Sequence, residues 1–297
     1  MSQNSFSNWF KNASESELIK WYESIIVDKV KKNGLANVPT PYGQSSRLRH
    51  DVWNVYDYGN VVKIVYIKSA PKIPDERKKK SAIKKQERSE SERFSNSISR
   101  SKARIFELAM CNEFNFFCTF TQDQKMRDRF DLKEFRKDFA QFVRNLNRKR
   151  PDDKKIKYLL IPEQHKDGAW HMHGLLQGIE KADLREFSLS EKLPERIRKQ
   201  ISKGVKVYDW TKYRKAFGYF TCTEIQNKNA CSKYITKYIS KDLQKTVRES
   251  GEHLFFASQG LKSRETIVKN SFEKCPVFEW DFENDYVKVK EIEIVRK

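Results

Sequence analysis

One stretch of the chain limits what the rest can fold into. Ala169-Trp-His-Met-His-Gly-Leu-Leu-Gln-Gly178 alternates as a short strand does. His171 and His173 therefore project from one face, and Trp170, Met172 and Leu176 turn to the other, towards a core. The upstream run Lys157-Tyr-Leu-Leu-Ile-Pro-Glu163 reads as the preceding strand. Lys166-Asp-Gly168 forms a three-residue hairpin loop with Gly168 in the left-handed conformation. With His165 facing Ala169, Glu163 falls opposite His171 on the same face; a one-residue slip would send it to the other. Glu163, His171 and His173 are thus a candidate metal-ligand set, with coordination positions left for solvent or substrate. His165, in the turn, is either a spare ligand or an exposed loop residue.

A His-x-His pair by itself is equally an ordinary polar strand face, so the surrounding pattern has to decide. Lys228 to Leu243 has helical spacing. Tyr234, Lys237, Tyr238 and Lys241 fall at i, i+3, i+4 and i+7 and form one stripe, beside an apolar stripe of Ile235, Ile239 and Leu243. The stripe is also what an amphipathic helix with boundary tyrosines shows. Further upstream, Phe116, Cys118 and Phe120 face a core while Thr119 and Thr121 face the opposite side.

The ordered trio of a Phe-x-Thr-x-Thr strand, a His-hydrophobic-His strand with an upstream Glu, and a tandem Tyr-x-x-Lys helix resembles the HUH endonucleases. It is most similar to the two-tyrosine rolling-circle replication initiators of small single-stranded DNA phages and plasmids. The resemblance covers roughly residues 112 to 265, and Ser258-Gln-Gly-Leu-Lys262 is similar to a segment that follows the tyrosine helix in such proteins. It implies an α+β fold: an antiparallel, ferredoxin-like or RRM-like sheet with helices on one side, the histidines on central strands and the tyrosine helix packed across them. It implies nicking of single-stranded DNA at an origin, with Tyr234 and Tyr238 as nucleophiles, Lys237 and Lys241 beside them, and Mn²⁺ or Mg²⁺ held by Glu163, His171 and His173. The products would be a 5′-phosphotyrosyl link and a free 3′-hydroxyl, with later rejoining. A relaxase or single-strand transposase of the same superfamily, a non-enzymatic single-stranded nucleic-acid-binding module, and a metal-dependent hydrolase using activated water are the alternatives.

Composition agrees with a polyanionic partner. Lys and Arg number 60 against 40 Asp and Glu, a formal charge of +20. Apolar residues at 38%, including 20 Phe and 12 Tyr, suffice for a core. The five cysteines form no Cys-x-x-Cys pair, which argues against a zinc ribbon or disulfide scaffold and for a reducing compartment. No apolar run spans a bilayer, and the opening residues have no signal-peptide pattern. The cytoplasm of a bacterial host is the expected location, with no membrane partner. No P-loop is present, so no nucleotide cofactor is expected, and unwinding and synthesis fall to a host helicase and polymerase.

In chain order, residues 1–70 read as an N-terminal helix (14–33) and a hairpin of Val52–Tyr58 and Val61–Ile67 around Gly59-Asn60. Residues 71–111 are a basic helical connector. Within it, Pro71 to Arg104 carries twelve Lys or Arg against five acids, either an arm on DNA phosphates or a solvated linker. The endonuclease domain covers 112–265. Asp131 caps a helix with Leu132, Phe135, Phe139, Phe142 and Leu146 on its apolar face, and Arg144, Arg148, Lys149 and Arg150 at its end join Thr119 and Thr121 as candidate DNA contacts. Residues 179–215 read as irregular, with a short helix near Leu184 and Phe187 and a basic loop or helix over 190–204 able to line a DNA groove. Strands follow at Phe217–Ile225 and His253–Ala257. Residues 266–297 form a C-terminal hairpin packed on the core.

Overall fold

The computed structural model describes residues 51–68, 90–239, 243, 246–247, 253–271, 279–284 and 287–294. The expected helix at 14–33 and the most basic part of the connector lie outside them. The chain divides into two compact units, Met1–Glu87 with Arg264–Lys297, and Arg88–Ser263.

The first unit is a five-stranded antiparallel sheet. Strands β1 (Val52–Asp57) and β2 (Val61–Ile67) form the expected hairpin. Its turn closes because Gly59 adopts φ 95° and donates its N–H to Asp57 Oδ1 at 2.7 Å. A later strand, Glu265–Ser271, flanks β1, and the C-terminal strand Val287–Glu293 pairs with β2 along its length, with Phe282–Glu283 beyond it.

The second unit carries the motifs. It opens with α1 (Glu90–Cys111), whose Ile105, Leu108 and Ala109 are buried. Next come β3 (Phe116–Gln122) and α2 (Leu132–Asn147), the latter capped by Asp131 Oδ1 accepting from the Glu134 N–H at 2.8 Å. Strands β4 (Lys157–Gln164) and β5 (Trp170–Gln177) form the expected hairpin, with Gly168 at φ 87° and His165 N–H bonded to Ala169 O at 2.9 Å. Then follow β6 (Leu184–Glu186), α3 (Glu195–Ser202), β7 (Tyr208–Trp210), α4 (Thr211–Phe217), β8 (Gly218–Glu224), α5 (Lys228–Ile235) and β9 (Phe256–Ala257). The sheet order is β6-β7-β8-β3-β5-β4-β9 with every pair antiparallel. The expected α+β class is therefore the observed one.

Alternation along β3 separates two faces. Phe120 points into an aromatic core with Phe139 and Phe220, each at 5.1 Å between ring centroids, and Tyr213 at 5.4 Å. Helices α2 and α4 cover this face. Phe117 points the other way and meets Tyr234 and Tyr238 at 5.6 and 6.3 Å. Helix α5 therefore lies on the histidine face, with α1 beside it, so α2 and α4 alone hold to the one-sided arrangement expected of the helices. Strands β4 and β5 approach closely at Gly174, where a Cβ would come within 2.6 Å of the Leu159 carbonyl oxygen. That glycine follows His173 directly, and its lack of a side chain keeps the two ligand-bearing strands in contact.

Three local expectations are corrected. Leu184 begins a strand rather than a helix, because Leu184–Glu186 pairs with Trp210–Tyr208. The short strand at Tyr208–Trp210 has no alternating run long enough to announce it. The tyrosine helix does not run straight from Lys228 to Leu243: α5 ends at Ile235, tightens into a 3-10 turn over Thr236–Tyr238, and turns extended at Ile239. The Thr236 hydroxyl donates to Lys233 O at 2.8 Å, a local bond that favours the tighter turn.

Candidate active site

The cross-strand register assembles the site in two rows. Tyr219, Thr121, His171 and Glu163 lie opposite one another across β8, β3, β5 and β4. Thr221, Thr119, His173 and Ile161 form the next row. Glu163 faces His171 as the hairpin reading requires.

Each histidine is oriented by a threonine. Thr121 Oγ1 lies 2.8 Å from His171 Nδ1, and Thr119 Oγ1 lies 3.2 Å from His173 Nδ1. The two threonines expected to touch DNA thus serve the imidazoles, fixing ring orientation and directing each Nε2 outward. His173 is almost fully buried and its Nε2 is 2.6 Å from Glu163 Oε2. That hydrogen bond, more than the nearby imidazoles, holds the Glu163 carboxyl below its usual range. Burial, then the neighbouring imidazoles of His165 and His173, depress His171 to about 4. His171 is consequently neutral at physiological pH, with its Nε2 free of hydrogen bonds among the described residues. His165 stacks on His171 at 3.7 Å.

Among the described residues no three His, Cys, Asp or Glu side chains are drawn together in a metal-binding arrangement. In kind, the donor set nevertheless fits a divalent cation. Two Nε2 atoms with their Nδ1 atoms held, and a carboxylate beside one of them, are the donors such an ion takes.

The tyrosines stand against this set. The Tyr238 ring stacks on His173 at 4.2 Å, and the Tyr234 and Tyr238 hydroxyls are 3.3 Å apart. Burial, reinforced by the hydrogen bond to Tyr234, pushes the Tyr238 phenol up, while Arg196 pulls it down. Tyr234 is exposed, and Lys237 Nζ lies 5.4 Å from its ring. Lys241 is outside the described residues. Glu163 lines two clefts: one of about 550 Å³ with Tyr234, Lys237 and Tyr238, and one of about 580 Å³ over His171 and His173.

Residues 115–243 match the replication-associated protein family typified by ORF2. The match covers under half of the chain, but it contains β3, the β4–β5 hairpin and the tyrosine segment, and it supports a replication-initiator role for the protein. Comparison with curated proteins and with solved structures returned no match. Within the segment that matches the replication-associated family, the candidate DNA contacts at the end of α2 lie apart from the site. Arg144, Arg148 and Lys149 are exposed and line neither cleft. Arg150 is spent on structure: it donates to Gly178 O and, at 2.9 Å, to Asp183 Oδ2.

Other cations reach the cleft over the histidines instead. Arg185, Lys192, Arg196 and Arg214 line it, together with Phe187 and Tyr219. Sequence reading found the basic stretch at 190–204 but not these individuals. Their placement depends on α3 docking through Ile197 with Phe187 and Val207, a small separate core. Tyr219 was detectable, since it shares the parity of Thr221 and Thr223 along β8.

Among the described residues, no helix is long and apolar enough to cross a membrane.

Proposed function

We propose that the protein initiates rolling-circle replication by nicking single-stranded DNA at an origin through tyrosine attack, and later rejoins the strand. The observation that carries this reading is the convergence of two phenol oxygens, 3.3 Å apart, beside a His173–Glu163 pair at 2.6 Å. A phenol has a reference pKa of about 10 and is a weak nucleophile until it loses its proton. Of two adjacent phenols, whichever is deprotonated accepts a hydrogen bond from the other, and Lys237 and Arg196 favour that anion. The phenolate oxygen forms the new bond to phosphorus as the bond from phosphorus to the 3′-oxygen breaks. The departing 3′-oxygen takes up a proton, leaving a 3′-hydroxyl and a 5′-phosphotyrosyl link that conserves the phosphodiester for rejoining. A second tyrosine permits a second cut while the first strand is still attached. Lys241 would act alongside Lys237.

Glu163, His171 and His173 would hold Mn²⁺ or Mg²⁺, the ion replacing the proton that His173 Nε2 shares with Glu163. Bound there, it supplies Lewis-acid polarisation of the non-bridging phosphate oxygens and aligns the phosphate for in-line attack. The residues themselves hold the imidazoles neutral and oriented. Host polymerase would extend the 3′ end and a host helicase would unwind the template, in a bacterial cytoplasm.

The test uses labelled single-stranded oligonucleotides tiling the non-coding DNA of the protein's own replicon, incubated with Mn²⁺ or with EDTA. Denaturing gels should show a metal-dependent protein adduct on the fragment 3′ of the cut. Tyr234→Phe with Tyr238→Phe should abolish it and leave DNA binding intact. Nicking by that double variant would overturn the nucleophile assignment, and binding with no adduct would indicate a non-enzymatic binding module.

A further inference from the structure

We propose that Tyr219 is a stacking platform for one nucleobase of the bound single strand, held beside the cut site on the same cross-strand row as His171. The proposal deepens the nicking reading by naming a positioning residue for its substrate, and it is read by an assay that needs no cleavage. Tyr219 is 55% exposed, although it sits mid-sheet in a unit whose other large aromatic side chains are mostly buried. Its partner in β3 is Thr121, which holds His171, and two strand spacings of about 4.8 Å put it roughly 10 Å from the His171 backbone. That is within reach of a nucleotide flanking a phosphate at the tyrosines.

The surroundings suit a base and its phosphates. Tyr219 lines the 580 Å³ cleft with Arg185, Lys192, Arg196 and Arg214. Two acids, Glu163 and Glu191, also line it, and Glu191 is already taken by Arg185 at 2.8 and 2.9 Å. The Arg214 guanidinium lies 5.6 Å from the Tyr219 ring and 5.8 Å from the Phe187 ring, and Arg185 lies 5.0 Å from Phe187. Asp209, fully buried, binds Arg214 and so fixes that guanidinium against the tyrosine. Arg214 is therefore committed as part of a rigid cation–aromatic stack, while Arg196 and Lys192 are left to meet phosphate. An aromatic face stacks any base, so the platform positions the strand without dictating its sequence.

The experiment is photocrosslinking of the full-length protein to single-stranded oligonucleotides carrying 5-iododeoxyuridine, with the linked residue mapped by mass spectrometry. The expected crosslink falls on Tyr219. Tyr219→Ala should lose it and weaken single-strand binding about tenfold, the scale of one stacked base. Tyr219→Phe, which keeps the ring, should bind as the parent does. Because the side chain is exposed, both variants should melt at the parent temperature. Crosslinks confined to other residues, or unchanged binding by Tyr219→Ala, would overturn the platform. Wild-type adducts that persist in Tyr219→Ala at unchanged yield and site would also remove its positioning role while leaving the nicking reading intact.

Discussion

The two threonines of β3 make the histidines into usable donors. An imidazole presents a lone pair at Nε2 when its proton sits on Nδ1, and Thr121 Oγ1, at 2.8 Å, is placed to accept that proton's hydrogen bond. Replacing the hydroxyl by a methyl keeps the shape and removes the partner. Thr121→Val should weaken Mn²⁺ binding by about 10- to 100-fold, as loss of a ligand's orienting partner does, whereas Thr121→Ser should restore it. Calorimetric titration with Mn²⁺ measures both. Equal affinity across the three proteins would reduce Thr121 to a packing residue.

At the scale of elements, the tyrosines depend on how a short helix ends. Helix α5 spans only Lys228–Ile235 and is too short to be stable alone. It is anchored by Ile235 and, past the 3-10 turn, by Ile239, both buried in the core. Between these anchors the turn brings the Tyr238 ring down onto His173 and leaves Tyr234 facing solvent. Ile235→Ala should cost about 2–5 kcal/mol, visible as a lowered melting temperature, and should also reduce adduct yield as Tyr238 loses its fixed position. An unchanged melting temperature would show that this side chain does not anchor the helix. The Asp131 cap of α2 acts similarly on the opposite face, where it fixes the start of the helix that buries Phe135 and Phe139.

For the whole molecule, the charge of +20 draws it to DNA, but its distribution over the cleft decides where phosphates run. Arg185 and Arg214 are tied to Glu191 and Asp209, so Lys192 and Arg196 carry the phosphate contacts there. Each phosphate contact on a single strand contributes about 0.7 to the slope of log affinity against log salt. Lys192→Ala with Arg196→Ala should therefore flatten that slope by about 1.4 in anisotropy titrations. An unchanged slope would place the phosphate path outside this cleft.

What the sequence by itself determined is what short-range rules determine. Alternation put His171 and His173 on one face, the Gly168 turn set the register that brought Glu163 opposite His171, and Asp131 marked a helix start. Each follows from strand parity, turn geometry or capping within a few residues. Tertiary structure decided the rest. It assigned Thr119 and Thr121 to the imidazoles, withdrew Arg150 into a structural bond, broke the tyrosine helix at Ile235 and brought Arg185, Arg196, Arg214 and Tyr219 over the metal-ligand row. Those outcomes join residues tens of positions apart, and they depend on which strands pair and how α3 and α5 dock. Packing of that kind is a property of the assembled sheet, and no local pattern encodes it.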